Sequence, residues 1–134
     1  GGMWFKNATD PNFEDCLTNV NTNYISYSNF IKNASIVIST NGFGDSIPWK
    51  IVEYMRLGCC IVSENNKHLF RHPIDDNTIS YFNTYSECVK LCERLLDDKN
   101  LMNKMRTNSS RYYKDFLAPK EVMKNVIAES LVIY

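Results

Sequence analysis

No apolar run in this chain is long enough for a membrane-spanning helix, and no segment has the signal-peptide order of positive charge, apolar core and small residues. An excess of one charge sign is also missing. Fifteen Lys and Arg stand against 15 Asp and Glu, a formal net charge of +0. Proteins that bind nucleic acid usually carry a marked basic excess, so no nucleic-acid partner is expected, although a locally basic face stays compatible with these numbers. The five cysteines (Cys16, Cys59, Cys60, Cys88 and Cys92) are odd in number and lack CxxC spacing, which argues against a disulfide framework and against a zinc site. Reduced thiols in a cytoplasmic protein are the expectation. Internal repeats and low-complexity linkers are absent too. What remains is 134 residues, 44% hydrophobic and 22% charged, enough for one domain with a real core. Gly1 to Met3 read as a tag remnant ahead of a starting methionine.

Asp10 and Pro11 predict a helix start, with Phe13, Cys16, Leu17 and Val20 on one side. Tyr24-Ile25-Ser26 reads as a brief strand, followed by a two-turn helix capped by Ser26 or Ser28 that carries Phe30 and Ile31 inward. Ser35 to Thr40 is the clearest strand. Ile36, Val37 and Ile38 are consecutive and β-branched, as in a strand covered on both faces. A loop with Gly42 and Gly44 leads to Pro48, which suits a first helical turn. The helix after it carries Ile51, Val52, Tyr54, Met55 and Leu57 and ends at Gly58. Cys59 to Ser63 and Thr78 to Phe82 read as further strands, separated by a polar loop. Thr84-Tyr85-Ser86-Glu87 has capping-box form, and Asp97 to Asn100 reads as a turn between two helices. Pro119 opens a last helix with Val122, Val126, Ile127 and Leu131 inward. Strand, helix and strand in alternation imply an α/β fold with a parallel sheet of about 3–5 strands flanked by helices, Rossmann-like, with a helical C-terminal tail.

In such a sheet, the loop and helix start after a strand lie where anions bind. Here that segment is NGFGDSI followed by PWKIVEYMRLG. Lys50 and Glu53, at i and i+3, read either as a ligand pair or as a solvated ion pair on the helix surface. His68 and His72 flank Arg71 in a pattern open to a metal pair or a phosphate contact, but no third ligand is evident and a surface loop is the simpler reading. Cys88 and Cys92 sit among leucines at helical spacing, as core residues do. Tyr112 and Tyr113 read as packed rings on a solvated helix. Glu64, at a strand's ligand-side end, is a minor candidate.

The stretch IPWKIVEYMRLGCCIV resembles the pattern I-P-s-K-x-x-E-Y-m-a-x-G-x-P-V of the donor-binding, C-terminal domain of group 1 glycosyltransferases with the GT-B fold. Pro48, Lys50, Glu53, Tyr54, Met55, Gly58 and Val62 fall on it, with one residue of slack at the strand. YSNFIKNASIVIST upstream and ISYFNTYSECVKLCERLLDDKNLMNKMR downstream are similar to flanking parts of that domain, so the likeness runs from Tyr24 to the C-terminus. The resemblance implies a nucleotide-sugar donor held without a metal or other cofactor. It implies that Glu53 binds the ribose and that the backbone from Gly44 through Ser46 to Ile47, helped by Lys50, binds the diphosphate. An earlier acid that touches the sugar falls on Asp45 (D-x7-E); a rival alignment puts Asn41 in that place. Cys60 stands near a position where the family usually has Pro.

The family's enzymes have two such domains, with the catalytic base usually on the other one. The resemblance therefore implies that residues 1–134 are a fragment of a two-domain hexosyltransferase, inactive alone. The missing N-terminal domain would be its main partner, and any peripheral membrane association would come through the full-length protein. Two other readings stand beside it. One is a non-catalytic interaction module that kept the fold. The other is a receiver-like or flavodoxin-like domain, disfavoured because no acidic cluster ends an early strand.

Overall fold

The structure, a computed structural model, describes residues 23–66 and 70–132. The expected helix at 10–20, with Cys16, lies outside the described residues, as does His68. Three strands, β1 (Val37–Ser39), β2 (Ile61–Glu64) and β3 (Ile79–Phe82), form a parallel open sheet in the order β1-β2-β3. Val37 pairs with Ile61 and Ile61 with Ile79, so each strand's alternation brings like residues onto one face. Among the described residues the fold is α/β, a sheet between helices.

Helix α1 (Tyr24–Asn33) precedes the sheet, and α2 (Trp49–Arg56) joins β1 to β2. Ile31, Val37, Ile51, Tyr54, Met55, Cys59, Ile61 and Ile79 form the core on this face. Helices α3 (Tyr85–Asp97) and α4 (Lys99–Tyr112) supply the other face, where Cys60, Val62, Phe82, Cys88, Leu95 and Met105 pack. Cys88 is thus core, as its spacing predicts. A π-helical turn (Tyr113–Leu117) then leads to α5 (Pro119–Val132).

Local chemistry explains most boundaries. Gly58 ends α2 at φ 65°, and the N–H groups of Cys59 and Gly58 donate to the carbonyls of Tyr54 and Met55. That pair of bonds is a Schellman termination, which a left-handed residue makes possible. Thr84 accepts from the Glu87 N–H at 3.2 Å, and Glu87 reaches back to the Asn83 N–H at 2.7 Å. Asp98 alone separates α3 from α4, its carboxylate accepting from the Leu101 N–H, so the predicted turn shrinks to one residue.

Helix α4 seals the N-terminal edge of the sheet. The buried Ser109 hydroxyl lies 2.9 Å from the carbonyls of Met105 in its own helix and of Cys59, two residues before β2, and 3.3 Å from that of Thr78, just before β3. Arg106 donates to the carbonyls of Gly58 (3.2 Å) and Lys32 (2.8 Å). Its guanidinium thereby neutralises the carbonyl-rich ends of α2 and α1 together.

Several expectations give way, among them Phe30, which is 48% exposed in α1 while Ile31 is buried as expected. Tyr24-Ile25-Ser26 is helical, because Asn23 rather than Ser26 or Ser28 caps the helix, accepting from the Ser26 N–H at 2.9 Å. Ile38 is 53% exposed rather than covered on both faces; α3 and α4 reach β2 and β3, and no described element covers β1 on that side. In α5, Val122, Val126, Ile127 and Leu131 are 42–73% exposed instead of inward; among the described residues α5 packs chiefly on the π-helical turn, with Arg71, His72 and Tyr112 beside it.

Candidate functional site

With its lower edge plugged by α4, the sheet is open at its C-terminal edge, where crevices of α/β folds bind ligands. From Thr40 the chain leaves β1 into the 41–48 loop and then enters α2. The loop closes on itself. The Gly42 N–H donates to the Ser46 carbonyl at 2.9 Å, and the Ser46 N–H to the Phe43 carbonyl at 3.3 Å. Gly44 lies within this turn at φ 64°, a left-handed value that costs a residue with a Cβ roughly 1–2 kcal/mol. A Cβ on Gly42 would come within 2.5 Å of the Ser46 Oγ. Gly44 is thus favoured by its backbone conformation and Gly42 by crowding from Ser46, whose carbonyl oxygen would lie 3.0 Å from an added Cβ.

Pro48 is the N-cap of α2 rather than part of its first turn, and no side chain caps that helix. The Ile51 N–H bonds the Pro48 carbonyl at 3.0 Å. Among the described residues, the N–H groups of Trp49 and Lys50 are the remaining orphan donors at the positive end of the helix dipole. Lys50 and the ring of Trp49 are exposed, and Phe43 is fully so.

Glu53 is one turn further along, partly buried. Its Oε2 is shielded from solvent and has no hydrogen-bond partner among the described residues. No ion pair joins it to Lys50 among them; a solvated Lys50–Glu53 pair is therefore not what this structure contains. Of the remaining residues expected at the diphosphate, Ser46 spends its amide inside the loop and Gly44 supplies the turn. Ile47 faces the neighbouring cleft. Asp45 follows Gly44 in the turn, and its side chain lies outside what the structure describes.

Asn41 has different work. Its N–H donates to Glu64 Oε2 at 2.9 Å, its Nδ2 to the Asn65 carbonyl at 3.1 Å, and its Oδ1 accepts from Asn66 Nδ2 at 3.1 Å. Both ends of the Asn41 side chain are thus tied to the segment after β2. The web continues through Asn65 Nδ2 to Asn83 Oδ1, linking the ends of all three strands. Spacing alone had no means of revealing it, because its members are 18 to 25 residues apart.

Beside the loop lies a cleft of about 400 Å³ whose walls include Ile47, Ile51, Phe70, Tyr81, Asn65 and Arg71. Burial, and secondarily the charge of Asp76, pushes the Tyr81 phenol up from its ordinary value. Arg71 pairs with Glu129 of α5. His72 stacks on Phe116 with centroids 4.2 Å apart, and its carbonyl accepts from the Tyr112 hydroxyl at 2.6 Å. His72 and Tyr112 therefore act as packing groups that hold the cleft wall. Among the described residues no cluster of three His, Cys, Asp or Glu is placed to hold a metal ion, and no helix is long and apolar enough to cross a membrane. No protein-family model, curated protein or solved structure matches the chain.

Proposed function

We propose that this chain is the nucleotide-sugar-binding domain of a GT-B, Rossmann-like glycosyltransferase that moves a hexose-type sugar to a glycan or other acceptor in the cytoplasm. The observation that carries the reading is Glu53, whose buried Oε2 lacks a partner among the described residues, one turn from an uncapped helix start. A buried polar atom without a partner costs about 1–3 kcal/mol, and a ligand diol supplies the donors that remove that cost. The sequence pattern around Pro48, Lys50 and Glu53 points the same way.

In this reading Glu53 orients the ribose, while the Trp49 and Lys50 amides, the Lys50 ammonium and the helix dipole hold the diphosphate. The backbone of Gly44 to Ile47 shapes the approach, and Asp45 orients the transferred sugar. As the bond from the anomeric carbon to the phosphate oxygen breaks, negative charge grows on the departing nucleoside diphosphate. The fixed positive end of α2 and Lys50 stabilise it without any metal in this proposal. The acceptor oxygen forms the new bond to the anomeric carbon, and its proton passes to a base on the second domain.

Calorimetric and NMR titration with UDP-, GDP- and ADP-sugars tests the proposal. Shifts centred on residues 42–53 that vanish in Glu53→Ala are expected; no shifts, or equal shifts in the variant, would sink it. The exposed Phe43, Trp49 and α5 side chains favour a second reading, a non-catalytic module whose apolar surface is covered by a partner. Its signature is a homogeneous complex without nucleotide affinity.

A further inference from the structure

We infer that Glu64 is a positioning residue for the donor loop, acting through Asn41. This inference rests on the donor-site reading and extends it to a residue that touches no part of the ligand. The last paired residues of β1 and β2 are Ser39 and Ser63. Beyond them β1 turns away into the loop, and the Asn41 N–H has no strand carbonyl to meet. Glu64, the last residue of β2, places its Oε2 2.9 Å from that N–H. The carboxylate stands in for the missing strand acceptor, in a partly buried bond that charge makes stronger than a neutral one.

What this bond holds is the first residue of the loop that leads into α2. Asn41 is followed at once by Gly42, whose own N–H closes the 42–46 turn on the Ser46 carbonyl. The loop is thus pinned at its start by Glu64 and closed by the Gly42–Ser46 bond, two residues before the cap residue Pro48. The Asn41 side chain meanwhile grips Asn65 and Asn66, so the loop and the wall of the adjoining cleft share one anchor. With the anchor intact, the first-turn amides of α2 meet a diphosphate without first ordering the loop. Without it, that ordering is charged against affinity.

The test compares wild type with Glu64→Ala, Glu64→Gln and Glu87→Ala. Two readouts are taken: amide hydrogen exchange at residues 41–46 and affinity for a nucleoside diphosphate, using UDP, GDP and ADP. Glu64→Ala is expected to speed exchange at Asn41 and Gly42 and to weaken binding by about tenfold or more. Glu64→Gln keeps an acceptor oxygen and should recover most of both, to within about threefold. Glu87→Ala removes another carboxylate from the same sheet edge, the one serving the Asn83 N–H; it should leave loop exchange and affinity at wild-type levels.

If wild type binds a nucleotide and Glu64→Ala binds it equally well, the inference is overturned while the donor-site reading stands. If Glu64→Ala leaves exchange at 41–46 unchanged, the anchor itself is refuted, whatever the nucleotide does. If no nucleotide binds wild type, the donor-site reading falls and takes the positioning role with it. An equal loss in Glu87→Ala would assign the effect to general destabilisation and also overturn the inference.

Discussion

At Glu53 the proposed ribose role sets function apart from stability. Its Oε2 is shielded and has no partner among the described residues, so the fold they form gains nothing from that oxygen. Glu53→Gln and Glu53→Met should unfold in urea at the wild-type midpoint or above it, by up to about 1 kcal/mol, while losing nucleotide binding. Gly58 is the opposite case. Its left-handed backbone ends α2, and a Cβ there meets only ordinary contacts at 3.6 Å. Gly58→Ala should therefore cost about 1–2 kcal/mol from backbone strain alone, read as a lower midpoint with an unchanged slope. Cys60 sets an alkaline limit. Burial pushes its thiol from 9.0 up to about 11, against a smaller opposing pull from the charge of Arg106. The folded state therefore holds its proton more tightly than the unfolded chain. This contribution is complete below pH 9.0 and is lost as pH rises towards about 11. Unfolding free energy should fall across that window by up to about 1.4 kcal/mol per pH unit for this one group, and Cys60→Ala should flatten the decline.

At the scale of elements, local signals were legible and tertiary ones were not. Gly58, the Thr84–Glu87 capping box and Pro119 each act within a few residues of themselves, and each marks a real boundary. Asn23 is also a local cap, but Ser26 and Ser28 compete with it in sequence, and only the bond to the Ser26 N–H decides between them. Arg106 and Ser109 bond to groups 31 to 74 residues away, so neither stands out from its neighbours in a helix of mixed polarity. Helix α5 shows the limit of periodicity. Its apolar positions recur at helical spacing, yet the spacing says only that one face is apolar, not that anything lies against it. Because α5 buries little and its ion pair to Arg71 is exposed, truncation after Leu117 should lower the melting temperature by only a few degrees, roughly the effect of about 1 kcal/mol. Calorimetry on the shortened chain checks this, and loss of the cooperative transition would contradict it. The candidate site follows the same division: the pattern around Pro48, Lys50 and Glu53 is contiguous and readable, whereas the Glu64–Asn41–Asn66 web depends on strand order.

The whole molecule is built asymmetrically along the strand direction. One end of the sheet is closed by helix α4, and the other presents a glycine turn, an uncapped helix start and a web of amides. That closed end has a kinetic consequence. Parallel pairing of β1, β2 and β3 is non-local to begin with, and the helix that plugs its lower edge is made after all three strands. The Ser109 hydroxyl has one proton and three carbonyls within reach, that of Met105 one turn back in α4 and those of Cys59 and Thr78, and the last two come within reach only when chain segments 31 to 50 residues apart have met. We predict that docking of α4 is a late step on the path to the native state, with its bonds largely absent at the folding barrier. Ser109→Ala should accordingly leave the refolding limb of a chevron plot in place and accelerate unfolding, giving a φ-value near zero. A slowed refolding limb would instead place α4 in the nucleus. A nascent chain arrested before Ser109 should remain open at its lower edge, with a sheet that forms and dissolves until the plug arrives.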